Sequence, residues 1–77
     1  MEKGIRQERQ QICDGNIVKV MKTHKSVNHV DLVQKVIAQI STFQAQPAMI
    51  KQRIESLIER GYMKRDEKQK GLYIYVP

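Results

Sequence analysis

A chain of 77 residues with 40% hydrophobic and 29% charged residues is one small globular domain, with too many apolar groups for a disordered tail. A chain this short buries only roughly 60% of the surface that it exposes when unfolded, so most of its apolar residues must serve the core. The formal charge of +6 favours acidic partners, and composition alone does not choose between nucleic acid, an anionic membrane surface and an acidic protein face. One cysteine, Cys13, excludes an internal disulfide, and with His24 and His29 it lacks zinc-site spacing, so neither metal nor cofactor is expected. No apolar run approaches a membrane span and no signal peptide opens the chain, which leads us to expect a soluble protein of the cytoplasm and nucleus.

Residues 5–22 carry Ile5, Ile12, Cys13, Ile17, Val20 and Met21 at helical spacing. Gly15 interrupts them at roughly 1 kcal/mol against alanine, which predicts a close approach by something else. The segment ends in Lys19, Lys22, His24 and Lys25, cations that complement a helix dipole. Ser26-Val27-Asn28 reads as a break, with Asn28 as an N-cap and Asp31 three residues on. A second helix of roughly 12 residues follows, with Leu32, Val33, Val36, Ile37 and Ile40 inward. Residues 41–46 form a polar loop whose Phe43 folds back onto the core. Pro47 opens a third helix, Met49, Ile50, Ile54, Leu57 and Ile58 give its stripe, and Gly61 caps it.

Beyond Gly61 the period changes to two. Residues 62–66 and 72–76 read as strands, the second alternating Leu72, Ile74 and Val76 against Tyr73 and Tyr75, with the charged residues 67–71 turning between them. Tyr62, Tyr73 and Tyr75 are assigned to packing, Cys13 to the interior, and His29 to a hydrogen bond near the start of the second helix. The predicted fold is mainly α with a small β-hairpin: a winged helix of three helices and a C-terminal wing.

Four segments, in order, resemble the C-terminal winged-helix domain of cullins, the scaffolds of multisubunit RING ubiquitin ligases. Ile17-Val18-Lys19-Val20-Met21-Lys22 is similar to the acceptor motif Ile-Val-Arg-Ile-Met-Lys. His29 with Leu32, Val33 and Val36 resembles the family's second helix. Ile50-Lys51, Arg53-Ile54-Glu55-Ser56-Leu57-Ile58-Glu59-Arg60, Tyr62-Met63 and Arg65-Asp66 match the third helix and first wing strand. Tyr73-Ile74-Tyr75-Val76 is close to the Tyr-x-Tyr that ends cullins. The resemblance covers residues 8–77, while residues 1–7 match poorly and are read as an extension of helix 1 or a frayed end. Gly15 and Asn16 for alanines, Lys19 for arginine, Val20 for isoleucine, His24 for arginine and Pro77 for a terminal alanine mark a divergent member. The chain is short for a cullin, and is expected to be a fragment of one.

The resemblance implies that Lys22 forms an isopeptide bond with a ubiquitin-like modifier (neddylation), with Lys19 and Lys25 as a supporting basic surface. It implies as partners a conjugating enzyme, a RING-box protein, a neddylation co-factor and the deneddylating signalosome, and gives the domain the role of a substrate, not a catalyst. A lysine in water is an ammonium at neutral pH, and no carboxylate near Lys22 in sequence suggests itself as the base, so deprotonation falls to the conjugation machinery.

The rival reading is a DNA-binding module, with Lys51, Gln52, Arg53 and Arg60 of the third helix in the major groove and Lys64, Arg65, Lys68 and Lys70 of the wing on phosphates. Glu55 and Glu59 argue against it, because carboxylates on the groove-facing helix repel phosphate. A third reading keeps the domain as a docking surface with Lys22 unmodified.

Overall fold

A computed structural model describes residues 2–77, with side chains from residue 4. The chain runs α1 (Glu2–His24), β1 (Ser26–Asn28), α2 (His29–Gln39), α3 (Pro47–Glu59), β2 (Met63–Arg65) and β3 (Leu72–Tyr75). Three helices enclose the core and a three-stranded sheet closes one side, in the arrangement of a winged helix.

α1 has 23 residues, about 34 Å at 1.5 Å per residue, and dominates a molecule measuring 42 × 23 × 20 Å. Its second half supplies the core with Cys13, Ile17, Val20 and Met21. Its first turns contribute less: Ile5, predicted to lie on the inner face, is 52% exposed. Gly15 is exposed, and a methyl group built there meets nothing within 4 Å, so the predicted close approach does not exist.

α2 begins, and α3 begins and ends, by the predicted chemistry. The Asn28 side chain accepts a hydrogen bond from the Asp31 amide at 2.8 Å and donates one to the Asp31 carboxylate at 3.0 Å, a reciprocal cap. Leu32, Val33 and Val36 are buried, whereas Ile37, predicted inward, lies largely on the outer face. Pro47 opens α3, where its missing N–H costs nothing. Ile50, Ile54 and Leu57 are buried, and Phe43 packs back onto the core as expected. At the end of α3 the Gly61 amide donates to the Ile58 carbonyl and the Tyr62 amide to the Leu57 carbonyl, with Gly61 at φ +84°. That pairing is a Schellman motif, and only glycine takes its left-handed position without strain.

Ser26-Val27-Asn28, read as a break, is a strand. β1 pairs antiparallel with β3, and the sheet order β1-β3-β2 makes β3 the central strand. A three-residue strand whose one apolar member, Val27, is buried between two exposed polar residues has no period to read. The core-facing side of β3 carries Tyr73, buried, and Tyr75, packed against the core, while Leu72 and Ile74 remain half exposed on the other side. Tyr73 Oη lies 2.9 Å from His29 Nδ1, which joins β3 to the first turn of α2 and gives His29 its predicted hydrogen bond.

Candidate functional site

The end of α1 is where the exposed lysines gather. At 100° per residue, Lys22 falls on the side of the helix turned from Cys13, Ile17, Val20 and Met21, in line with Gly15 seven residues earlier. Lys19, one turn before it, and Lys25, just after the helix, are exposed as well. Among the described residues no carboxylate pairs with any of the three. Lys22 and His24 in the last turn sit against the negative end of the helix dipole.

Lys25 stops the helix. Its φ of 69° places a non-glycine residue in the left-handed region, a conformation costing roughly 1–2 kcal/mol. Its amide donates to the Met21 carbonyl at 2.7 Å, and its carbonyl accepts from the Tyr75 amide at 2.8 Å. Its ammonium lies 5.2 Å from the centre of the Tyr75 ring. At the far end of β1 the His29 amide donates to the Gly71 carbonyl at 2.8 Å. The turn after the lysine cluster is thus fastened to the central strand on both sides, while Lys22 extends from its rigid base into solvent. No signal in the sequence marks Tyr75 or β1 as the fastening.

The wing brings a further cation near. Ser26, Ile74 and Lys64 occupy one cross-strand row, which sets Lys64 two strand spacings, about 10 Å, from the α1–β1 turn. Lys68 and Lys70 are exposed on the β2–β3 connection, whose turn is held by the Asp66 carboxylate accepting from the Lys68 and Gln69 amides.

The third helix is different, and here the groove-contact assignment is corrected. Asp14 of α1 receives two hydrogen bonds from Arg53, at 2.8 and 2.9 Å, and one from Arg60 at 2.9 Å. The Arg53 side chain is only 16% exposed, so it ties α3 to α1 and does not face a groove. Arg60 also lies over the Tyr62 ring, 5.6 Å from its centre, and Arg65 is bound to Glu55. Lys51 and Gln52 stay exposed, without the arginines meant to accompany them.

Burial pushes the Asp14 carboxyl up, but the hydrogen bonds and charges of Arg53 and Arg60 outweigh it and hold the group below the usual carboxylate range. Burial, helped by Asp14, raises the Cys13 thiol, which packs against the Met49 sulfur at 3.8 Å as an interior residue. Burial likewise raises the Tyr73 phenol. Among the described residues no group of His, Cys, Asp or Glu is arranged to hold a metal ion, and no helix is long and apolar enough to cross a membrane.

Comparison with known proteins places this arrangement. Residues 8–69 match the family described as the cullin protein neddylation domain. The chain is 43% identical to Cullin-1 of Caenorhabditis elegans over 77 residues, which cover 99% of the chain and 10% of that protein. It is 43% identical to Cullin-4A of Homo sapiens over 70 residues, covering 91% and 9%, and 39% identical to Cullin-3 of Dictyostelium discoideum over 71 residues, covering 91% and 9%. It therefore spans about a tenth of the length of the curated relatives it matches. The winged-helix B domain of Cdc53, solved with Dcn1 in work on a dual E3 mechanism for Rub1 ligation to Cdc53, superposes with a TM-score of 0.92 at 36% identity, covering 99% of this chain and 88% of that one. A match over most of the chain, relatives well above 30% identity and the superposed fold agree: the chain belongs to the cullin neddylation-domain family.

Proposed function

We propose that this domain, within a longer cullin scaffold, accepts a ubiquitin-like modifier on Lys22. The observation that carries the reading is the setting of Lys22: an exposed lysine without a carboxylate partner among the described residues, on the outer face of the last turn of a helix whose end is fastened to the sheet. An acceptor amine must reach a thioester that a separate enzyme presents, and a flexible four-carbon stem on a rigid base meets that need.

In the step itself the Lys22 Nζ lone pair attacks the carbonyl carbon of the modifier's thioester. The C–N bond forms, the C–S bond breaks, the conjugating enzyme's thiolate leaves, and the proton shed by the nitrogen is taken up by that thiolate or by solvent. The catalytic groups belong to the conjugating enzyme and its RING-box partner, and this chain is the substrate. Lys19 and Lys25 flank the acceptor in the chain, and with Lys64 across the sheet from Ser26 they give this end of the domain a positive charge that suits an acidic protein face and speeds encounter with it. The Dcn1 complex of the superposed Cdc53 domain supports a co-factor of that kind here. We further assign the deneddylating signalosome as the eraser, cytoplasm and nucleus as the site of action, and activation of the ligase as the consequence. Activation is a two-state shift, in which an attached modifier is compatible with only one placement of the domain.

The test is conjugation reconstituted on the full-length chain with its RING-box partner, comparing wild type with Lys22→Arg and mapping sites by mass spectrometry. Loss of one modified species in the variant is expected. Modification that persists unchanged would move the acceptor to another lysine, and an unmodified wild type would leave the domain as a docking surface.

A further inference from the structure

Three lysines stand within two turns of one another at the end of α1, and conjugation at Lys22 requires the enzyme to pass over Lys19 and Lys25. Lys19 lies one turn back along the helix. Lys25 lies only three residues on, at the exposed tip of the turn, where reach alone does not disfavour it. What separates Lys25 from Lys22 is a partner. Its ammonium rests 5.2 Å from the centre of the Tyr75 ring, and its left-handed backbone and the bond from the Tyr75 amide to its carbonyl hold the two residues together. Tyr75 in turn packs against the core and pairs with Met63 across the sheet, so the ring is fixed.

Building on the reading of Lys22 as acceptor, we propose that Tyr75 is a specificity-determining residue that keeps Lys25 from competing for the modifier. The contact acts by position: the ring face holds the Lys25 ammonium at β3, so the nitrogen must leave the ring before it can reach a thioester. Attack by Lys25 would need the same bonds made and broken as attack by Lys22, C–N for C–S with loss of a proton, but from an amine that must first leave the ring.

The test uses the full-length chain and two readouts. Limiting acylation by a small succinimidyl ester, with sites quantified by mass spectrometry, measures Lys25 against Lys19 as internal reference. Tyr75→Leu keeps an apolar side chain and the main-chain bond to Lys25 but removes the ring. It should raise Lys25 acylation about two- to five-fold, the range an exposed cation–π contact supports. Tyr75→Phe should hold at the wild-type ratio. Tyr75→Met serves in place of Leu if thermal melting shows the Leu variant unfolded. In reconstituted conjugation, Lys22→Arg/Tyr75→Leu should carry more modifier on Lys25 than Lys22→Arg/Tyr75→Phe by a similar factor. An unchanged acylation ratio on losing the ring overturns the proposal, as does a raised ratio with no rise in modifier on Lys25. Failure of Lys22 itself as acceptor appears separately, as an unmodified Lys22 in wild type.

Discussion

Two cationic regions of the same small domain are put to opposite uses. On α3 and the wing, Arg53, Arg60 and Arg65 all meet carboxylates, two of them sharing Asp14. At the end of α1, Lys19, Lys22 and Lys25 meet none among the described residues, and the one contact there is with an aromatic ring. Guanidinium groups, planar and forked, bind a carboxylate through two parallel bonds and join helices, whereas ammonium groups on flexible stems remain available to solvent and partners. Net charge therefore gives a poor account of what a basic domain binds. Of the arginines that a DNA-binding reading would send into a groove, Arg53 is already spent inside the fold and Arg60 is paired with Asp14 at its edge.

The largest expected effect tests the structural half of that contrast. Asp14→Ala strips Arg53 of a bidentate partner while leaving it mostly buried, and should cost about 2 kcal/mol, the range of charge-assisted hydrogen bonds. Arg60, nearly half exposed, adds little to that sum. For a domain of this size the melting temperature should fall by about 8–16 °C. The effect depends on pH in a fixed direction. Asp14 is depressed in the folded state, so its contribution is complete above the unfolded carboxylate value of roughly 3.9 and is lost as pH falls through the lower folded value. Wild type and variant should therefore converge in acid melts. A loss under about 0.5 kcal/mol at neutral pH, the scale of a surface pair, would return Arg53 to the free cations and reopen the groove reading.

Much of the fold was legible because it rests on local chemistry. Asn28 with Asp31, Pro47, Gly61 and the stripe Ile50, Ile54, Leu57 each mark a boundary or a face through a cause that acts within a few residues. The illegible parts rest on contacts far apart in sequence. β1 exists because Val27 faces Tyr73 across 46 positions of chain, and three residues with a single apolar member carry no period. Asp14 is an ordinary polar residue of a helix until α3 delivers two arginines to it. The proposed acceptor position rests on family resemblance, since nothing in composition distinguishes Lys22 from the other lysines. Its surroundings were not legible, because Lys25 occupies a left-handed turn without glycine and only Tyr75, fifty residues on, shows what holds it.

A middle-sized prediction concerns the outer face of α1, which Lys22 shares with Gly15. The sequence suggested that Gly15 makes room for a neighbour, but the structure leaves open space there. Gly15→Ala should then stabilise the domain by about 1 kcal/mol through helix propensity alone, raising the urea midpoint with an unchanged slope. Destabilisation would show that something covers this face, and Lys22 with it.

The smallest expected effect is the most diagnostic for the acceptor. Lys22→Ala removes an exposed side chain with no bonded partner among the described residues, so stability should change by no more than about 0.5 kcal/mol and the melting curve should overlay that of wild type. Conjugation at that position should vanish outright. The pairing matters because Asp14→Ala is expected to do the reverse, leaving the acceptor chemically intact on a weakened fold. If Lys22→Ala instead lowered the melting temperature as Asp14→Ala does, the lysine would be part of the scaffold, and the contrast between a cation spent on structure and one kept for reaction would fail where it matters most.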